Sequence, residues 1–375
     1  MQPTSDDDHE GSGDVRSGHP PVSVFLAVRN EEAHLERCVR QLVAQDYPGE
    51  LEIVLAVGPS KDRTAQIAGE LAAAHPELTL VRNPTGATPS GLNRAIAVAR
   101  HDLLVRVDGH SIVEPDYVRR VVGTMLRTGA ANVGGVMVPG GEGPLQSAVA
   151  RAMSSRFGIG PVGFHTGGHE GPARSVYLGA FRRDALDDVD GYDESYVRAQ
   201  DWELNHRLRH AGHVVWFDPS LRVGYRPRST WRALARQFYG SGRWRRDVAT
   251  RHRGTLNPRY LAPPVAVLGV AVGLVVGVIG LAIDGLLLSA FLLAPLAYAA
   301  LLLAAVAGAG RGLSTAARLC LPGVLATMHM AWGSGSSVVA RATRSPGCAR
   351  ASAPTSRCPR TPRSSTSAVP ITAVT

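Results

Sequence analysis

Cysteine is scarce in this chain, and what there is cannot build a metal site. Of 4 cysteines in 375 residues, Cys38 and Cys320 stand far apart while Cys348 and Cys358 sit in a tail. None has a zinc-ligand spacing, and a reducing compartment fits best. No secretory leader is expected either. Asp6, Asp7, Asp8, Glu10, Gly11 and Gly13 stand where a basic and then apolar segment would have to be, so the first domain is expected to stay in the cytoplasm. Large apolar side chains are sparse in residues 1–20, which are expected to be disordered. Acidic residues are absent from residue 285 onward. Residues 341–375, rich in Ser, Pro, Thr and Arg without any period, are expected to be a second disordered tail, in keeping with an out-of-frame extension.

Apolar residues make up an ordinary 45% but are unevenly placed. Almost every residue of 261–307 is apolar or small, whereas 1–260 has the mixed texture of a soluble domain. Two regions therefore face different solvents. Residues 261–283 and 285–307, broken by Asp284, are each long enough to cross roughly 30 Å of hydrocarbon. A weaker third stretch, 313–339, is interrupted by Arg318, Pro322 and His329.

The net charge of +9 fits either nucleic acid or an anionic membrane surface. Location decides between them. Arg226, Arg228, Arg232, Arg236, Arg243, Arg245, Arg246, Arg251, Arg253 and Arg259 lie immediately before the apolar block, and Arg311 with Arg318 follow its second stretch. Trp231, Tyr239 and Trp244 interleave with these arginines, as base stacking would require. The placement nevertheless favours membrane orientation, with the basic ends on the cytoplasmic side and no nucleic acid as partner.

Between these zones the pattern is regular. Residues 22–28, 51–57, 78–82 and 103–107 read as strands, and helices are expected near 35–43, 64–74 and 89–99. Alternation of this kind predicts an α/β domain with a largely parallel sheet, whose ligands bind beyond the carboxyl ends of the strands. Arg29 to Glu31, Val57 to Asp62 and Asp108 to His110 all lie just past strand ends and should meet in one crevice.

Within that crevice Asp108 and His110 flank Gly109 at the end of an apolar strand. Side chains two apart on a strand point the same way, so the pair can hold a divalent ion that bridges a diphosphate. A solvent-exposed turn is the bland alternative. Asp201 and Glu203, in the segment 200–205, read on their own as first-turn helix acids stabilised by the helix dipole. Gly158, Gly160 and Gly163 form a G-x-G-x-x-G, but they follow a helical pattern and enclose Pro161, which argues against a dinucleotide site and an oxidoreductase. His165, His169 and Glu170 imitate a metal cluster, yet Gly167 and Gly168 between them favour a loop on the acceptor side.

Four segments then occur together and in order: VSVFLAVRNEE (22–32), LEIVLAVGPSKDRT (51–64), NPTGATPSGLNRAIAVA (83–99) and the one around Asp108. In this the chain resembles family 2 glycosyltransferases, and more narrowly the branch with the succinoglycan-type exopolysaccharide glucosyltransferases. The similarity runs over about 21–340.

The resemblance implies a nucleotide-sugar-binding GT-A fold over 21–225, then a basic interfacial segment (226–260) and two or three transmembrane helices (261–340). It implies inverting transfer from a nucleotide-diphosphate sugar to a lipid-linked or glycan acceptor at the inner leaflet, with Mg²⁺ or Mn²⁺ as cofactor. Ala27, Arg29, Glu31, Val57, Asn93, Asp108, Gly109 and His110 would contact the donor, Asp108 and His110 through the metal. Asp201 falls on the position of the base that takes the acceptor's proton, with Glu203 in reserve. Gln237, Arg243 and Trp244, in a looser version of the family's glutamine to arginine-tryptophan element, would hold the acceptor or its diphosphate. An interfacial amphipathic helix is the other reading of that element.

Two departures stand out. Val57 and Gly58 replace an acidic pair that recognises the base, and His110 replaces the second acid of the metal motif. These neutral residues leave a non-catalytic membrane-bound sugar-nucleotide-binding protein as the competing expectation.

Overall fold

A computed structural model describes residues 19–160, 163–251, 255 and 258–337. Apart from His19 and Pro20, the tails expected at 1–20 and 341–375 lie outside the described residues. The first half follows the alternation read from the sequence: β1 (Val22–Val28), α1 (Leu35–Val43), β2 (Leu51–Val57), α2 (Thr64–Ala74), β3 (Leu78–Arg82), α3 (Thr88–Val98) and β4 (Leu103–Arg106). β1 and β2 are seven-residue runs, apolar but for Ser23 and Glu52 and buried on both faces, and they pair in parallel from Val22–Leu51 to Val28–Val57. Such runs suit the middle of a covered parallel sheet. In α1 the buried residues are Leu35, Cys38, Val39 and Leu42, the spacing of one helical face.

The chain continues as β5 (Ile112–Val113), α4 (Tyr117–Thr128), β6 (Asn132–Pro139), α5 (Gly143–Met153), α6 (Gly163–Thr166), β7 (Gly171–Pro172), β8 (Tyr177–Arg182), α7 (Arg183–Asp187), α8 (Gln200–His210), β9 (Val215–Tyr225) and α9 (Trp231–Arg251). The sheet order is β3-β2-β1-β4-β8-β6-β9-β5, with β7 beside β9. From β3 to β4 all pairings are parallel, whereas β8 runs antiparallel to both β4 and β6. The sheet is therefore mixed beyond β4. After β1 the chain moves outward through β2 and β3, then returns to β1's other side as β4. That reversal opens a crevice at the ends of β1 and β4.

Beyond α9 come α10 (Ala262–Ala282), α11 (Leu286–Ser289), α12 (Leu293–Ala309) and α13 (Thr315–Ser337), with a short 3-10 turn joining α11 to α12. Among the described residues two helical segments, Arg259–Ala282 and Leu286–Ala309, are long and apolar enough to cross a membrane by length and composition. Each has 24 residues, about 36 Å at the helical rise. They form a hairpin that turns at Asp284, which has φ 52°. Many of its outer side chains, Val265, Leu268, Leu286 and Leu293 among them, are exposed.

The third stretch, α13, is not one of those two segments. In α13 the residues Leu321, Val324, Leu325 and Met328 are buried in one cluster with Val149 and Met153 of α5, Leu234 and Phe238 of α9, and Ala305 of α12. Glycines permit the close approach: a Cβ on Gly242 would lie 2.1 Å from the Trp332 carbonyl oxygen, and one on Gly335 would lie 2.2 Å from that of Tyr239. Both ends of the hairpin thus meet the α/β domain, and Arg151 of α5 donates to the carbonyls of Ala309 and Arg311 at 2.8 and 2.7 Å.

Candidate active site

The loops after β1 and β2 are laced together at the mouth of the crevice. Asn30, at φ 57°, accepts from the Lys61 amide at 2.8 Å, and its own amide donates to Ser60 at 3.1 Å. The amide of Glu31 donates to Thr64 Oγ1 at 2.7 Å, and Arg29 Nε donates to the Pro59 carbonyl at 3.1 Å. The donor-side residues expected past these strand ends do converge.

Asp108 lies two residues past the end of β4, on the far side. Its carbonyl accepts from the Ser111 amide at 2.9 Å and from Cys38 Sγ at 3.4 Å. Burial pushes the Cys38 thiol up to about 12, which leaves it an inert prop. Gly109 has no room for a side chain, since a Cβ would lie 2.7 Å from Val28 Cγ1. The backbone then turns directly into β5 and pairs with the end of β9.

Alternation along β4 decides what reaches Asp108. Val105 and Val107 pack into one core, while Leu104 belongs to the other, with Tyr192, Leu204 and Leu208. Arg106 shares the side of Leu104 and so faces α8. Its guanidinium, 3% exposed, donates to Asp108 Oδ1 from Nη2 at 3.0 Å, to Tyr192 Oη at 3.4 Å, and to Asp201 Oδ1 in a short ion pair. One buried cation therefore binds both carboxylates singled out in the sequence. Burial works against its charge, but Asp108 and Asp201 outweigh that and raise its pKa well above the usual range. Burial also raises both carboxyls, and the balance differs between them. Arg106 and His110 bring Asp108 below its ordinary value, whereas Asp201, with Asp108 close by, stays above it.

Asp201 lies in the first turn of α8, which Ala199 enters in the left-handed region at φ 61°. That conformation costs a non-glycine residue about 1–2 kcal/mol. The preceding segment is pinned to α3, because Asn93 donates to the Tyr192 carbonyl at 2.8 Å and accepts from its amide at 2.9 Å. Asn93, expected at the donor, thus acts in this structure on the α8 side.

His110 Nδ1 lies 2.9 Å from Glu31 Oε1, and its ring meets Tyr225 edge-on at 6.3 Å. Burial disfavours its charge, yet the Glu31 hydrogen bond and Asp108 raise its pKa. Among the described residues there is no group of three or more His, Cys, Asp or Glu able to hold a metal ion. The pair still fits a cation that takes its remaining ligands from a diphosphate and water, as Mg²⁺ commonly does. A carboxylate orienting a histidine through its other nitrogen is the usual support for an imidazole ligand.

The remaining expected residues divide. Ala27 packs at the start of α3 beside Gly91, and Val57 ends β2 with Gly58 bonded to the Val28 carbonyl at 2.9 Å. Gln237 donates to Tyr225 Oη at 3.2 Å and accepts from Arg228 at 3.1 Å, one ring away from His110. Trp244 meets Tyr196 at 6.1 Å, and Arg243 is exposed on α9. Glu203, by contrast, is 2% exposed and held by two bonds of 2.7 Å from Arg207. Its carboxylate points into the core, away from the role of reserve base.

The look-alike motifs do not form sites here. Gly158 sits in a turn after α5 and Gly163 opens α6, so no strand leads into the triplet; Pro161 lies outside the described residues. His165 is pulled down to about 4 by burial, while Glu170 bonds Arg127 and Trp216 instead of a histidine.

Arg106 and Tyr192 are residues to which reading the sequence gave no role. The signal was present, since a lone arginine in an otherwise apolar strand must find partners on folding.

The profile described as "Glycosyl transferase family 2" matches residues 23–190. The chain is 32% identical over 258 residues to the succinoglycan biosynthesis protein ExoA of Rhizobium meliloti, covering 68% of this chain and 78% of that protein. It is 30% identical over 203 residues to a beta-monoglucosyldiacylglycerol synthase of Synechocystis, covering 51% of this chain and 40% of that one. Among solved structures, the mannosyltransferase PcManGT of Pyrobaculum calidifontis, in complex with GDP-Man and Mn²⁺, is similar with a TM-score of 0.53 and 21% identity. That likeness covers 85% of this chain and 86% of the other, and it matches the GT-A fold expected here.

Proposed function

The chain belongs to glycosyl transferase family 2, and from that premise we propose inverting transfer of a sugar from a nucleoside-diphosphate donor to a lipid-linked or polysaccharide acceptor at the inner leaflet. It is a glycosyltransferase. Relatives named for succinoglycan biosynthesis and for glucosyldiacylglycerol synthesis support a product that is an exopolysaccharide or a glycolipid.

The observation that carries the mechanism is the junction of Asp108 and Asp201 on Arg106. Asp201 has a raised affinity for a proton and is 37% exposed, so an acceptor hydroxyl can approach it. As the acceptor oxygen bonds to the anomeric carbon, Asp201 takes its proton and the bond to the diphosphate breaks. The nucleoside diphosphate leaves from the opposite face, which inverts the centre. Asp108 and His110 would hold a divalent cation, which supplies charge stabilisation to the leaving diphosphate. Glu31 orients His110, and Arg106 keeps both carboxylates facing one space.

The two apolar segments support a membrane-embedded hairpin. Arginines gather where its ends meet the domain, which favours the cytoplasmic face for the site.

Asp201→Asn is the decisive variant. Removing a general base costs about 100- to 10,000-fold in rate, and donor binding should be unchanged. Transfer at the wild-type rate by this variant would remove Asp201 from the reaction.

A further inference from the structure

The carboxyl half of α9 and the chain just before α10 hold a cluster that the transfer reaction leaves unused. Arg245 has its guanidinium carbon 4.5 Å from the centre of the Trp202 ring and 4.0 Å from that of Tyr260. Arg259 reaches the same tyrosine: its guanidinium carbon is 4.9 Å from the ring, and Nη2 donates to the hydroxyl at 2.9 Å. Tyr260 in turn stacks on Trp332 of α13, with ring centres 6.1 Å apart. Two guanidiniums therefore share one aromatic shelf.

Arg245 is short of negative charge. Arg245 donates from Nη2 to the Thr255 carbonyl at 2.6 Å, but its Nε is buried without a hydrogen-bond partner. Among the described residues no carboxylate acts on Arg245, and its charged neighbour is Arg259. Burial and that like charge pull Arg245 below the usual arginine range. A guanidinium stays charged even so. Stacking on aromatic faces tolerates the charge, but it satisfies neither the buried N–H nor the repulsion. An anion with several oxygens beside the two guanidiniums would offset the repulsion, and phosphate suits the planar fork.

Position narrows the ligand. Leu261, 48% exposed, follows Tyr260 and leads into the apolar hairpin, so an anion here lies at the edge of hydrocarbon. On the other side Trp202 is the covalent neighbour of Asp201. A phosphate carried on a lipid meets both conditions.

The geometry points to Arg245 and Arg259, on the shelf of Trp202 and Tyr260, as a binding site for a lipid-borne phosphate, which holds a lipid-linked acceptor while its sugar end reaches Asp201. The second half of that statement rests on the proposed transfer reaction. The first half does not. Bulk anionic headgroups share the chemistry, and the test separates the two sources.

Full-length protein in neutral detergent is titrated with farnesyl diphosphate and, separately, with a short-chain phosphatidylglycerol. Excess Mn²⁺ with UDP or GDP is present, so that the donor's diphosphate position is filled. Arg245→Gln and Arg259→Gln should each weaken binding of the lipid phosphate about tenfold or more, with nucleotide binding unchanged. Arg245→Lys, which keeps the charge and spares the fold, should fall between them and wild type. Tighter binding of farnesyl diphosphate assigns the site to the acceptor, and equal or tighter phosphatidylglycerol binding assigns it to the bulk membrane. No binding of either probe, or binding that ignores both glutamine variants, overturns the site. The measurement needs no turnover, so a protein that binds the probe yet transfers no sugar refutes the transfer reaction alone.

Discussion

Arg106 binds Asp201 across 95 residues of sequence, and the same guanidinium holds Asp108 two residues away. A single buried cation thus decides that α8 presents its first turn to the end of β4. Replacing Arg106 with Met would leave two carboxylates close together with no counter-charge between them. Breaking a buried pair in this way costs about 3–5 kcal/mol. Chemical denaturation of the detergent-solubilised protein should show that loss, with transfer abolished even where the protein stays folded. Arg106→Lys should recover part of the stability but little rate, because an ammonium lacks the fork that reaches both acids. Equal stability of the Met variant and wild type would mean that the cation does not hold the two elements together.

Glu31 is expected to matter through His110. Glu31→Gln keeps the volume but weakens the hold on the ring, and loss of such a supporting carboxylate commonly costs 10–100-fold in metal affinity. The Mn²⁺ concentration for half-maximal transfer should rise by about that factor, with the unfolding midpoint unchanged. His110→Asp should lower it, since a second carboxylate adds charge. A Mn²⁺ requirement identical in all three proteins would take His110 out of the cation site.

Glu52, near the start of β2 at the end of the sheet away from the crevice, should contribute to acid sensitivity. Burial alone would raise its carboxyl, but Ser23 at 2.5 Å, the Arg100 amide and Arg100 Nε at 2.6 Å outweigh it and bring the folded value below 4.5. The sign follows: its stabilisation is complete above the unfolded value and is lost as pH falls through the folded one. Glu52→Gln should therefore cost about 1.5–3 kcal/mol at neutral pH and flatten the loss of stability below about pH 4.5. Parallel pH profiles for the two proteins would count against this assignment.

The hairpin carries a topological prediction. Asp284 marks its turn and is exposed, at the end opposite the one held by Arg151. In cells whose enzyme carries Asp284→Cys and no other exposed cysteine, a membrane-impermeant thiol reagent added outside should label it. Labelling that requires cell lysis would mean that the hairpin does not present its turn on the far side.

Much of the α/β half could be read directly from the chain. The bounds of β1, β2, β3 and α2 coincide with those expected, because short apolar runs between breakers such as Gly58–Pro59 leave few alternatives. The crevice was legible for a similar reason, as residues just past parallel strand ends must gather on one edge. Asp108 and Asp201 were both visible as candidates. What joins them was not, since nothing local to Arg106 names a partner 95 residues on.

Other outcomes depended on packing. Glu203 and Asp201 are both acids in the first turn of α8; Glu203 pairs with Arg207 one turn on in the same helix, whereas only the helix's rotation against the sheet brings Asp201 to Arg106. Residues 313–339 have a composition that leaves spanning open, and only the fold shows Leu321, Val324 and Met328 clustered with residues of α5 and α9. By itself the sequence determined the local order: which runs become strands, where they stop, and which stretches exceed what water tolerates. Those properties depend on neighbours along the chain. Only the tertiary structure decided which distant charges meet, because a buried guanidinium takes the carboxylates that folding brings within reach, and sequence distance plays no part in that choice.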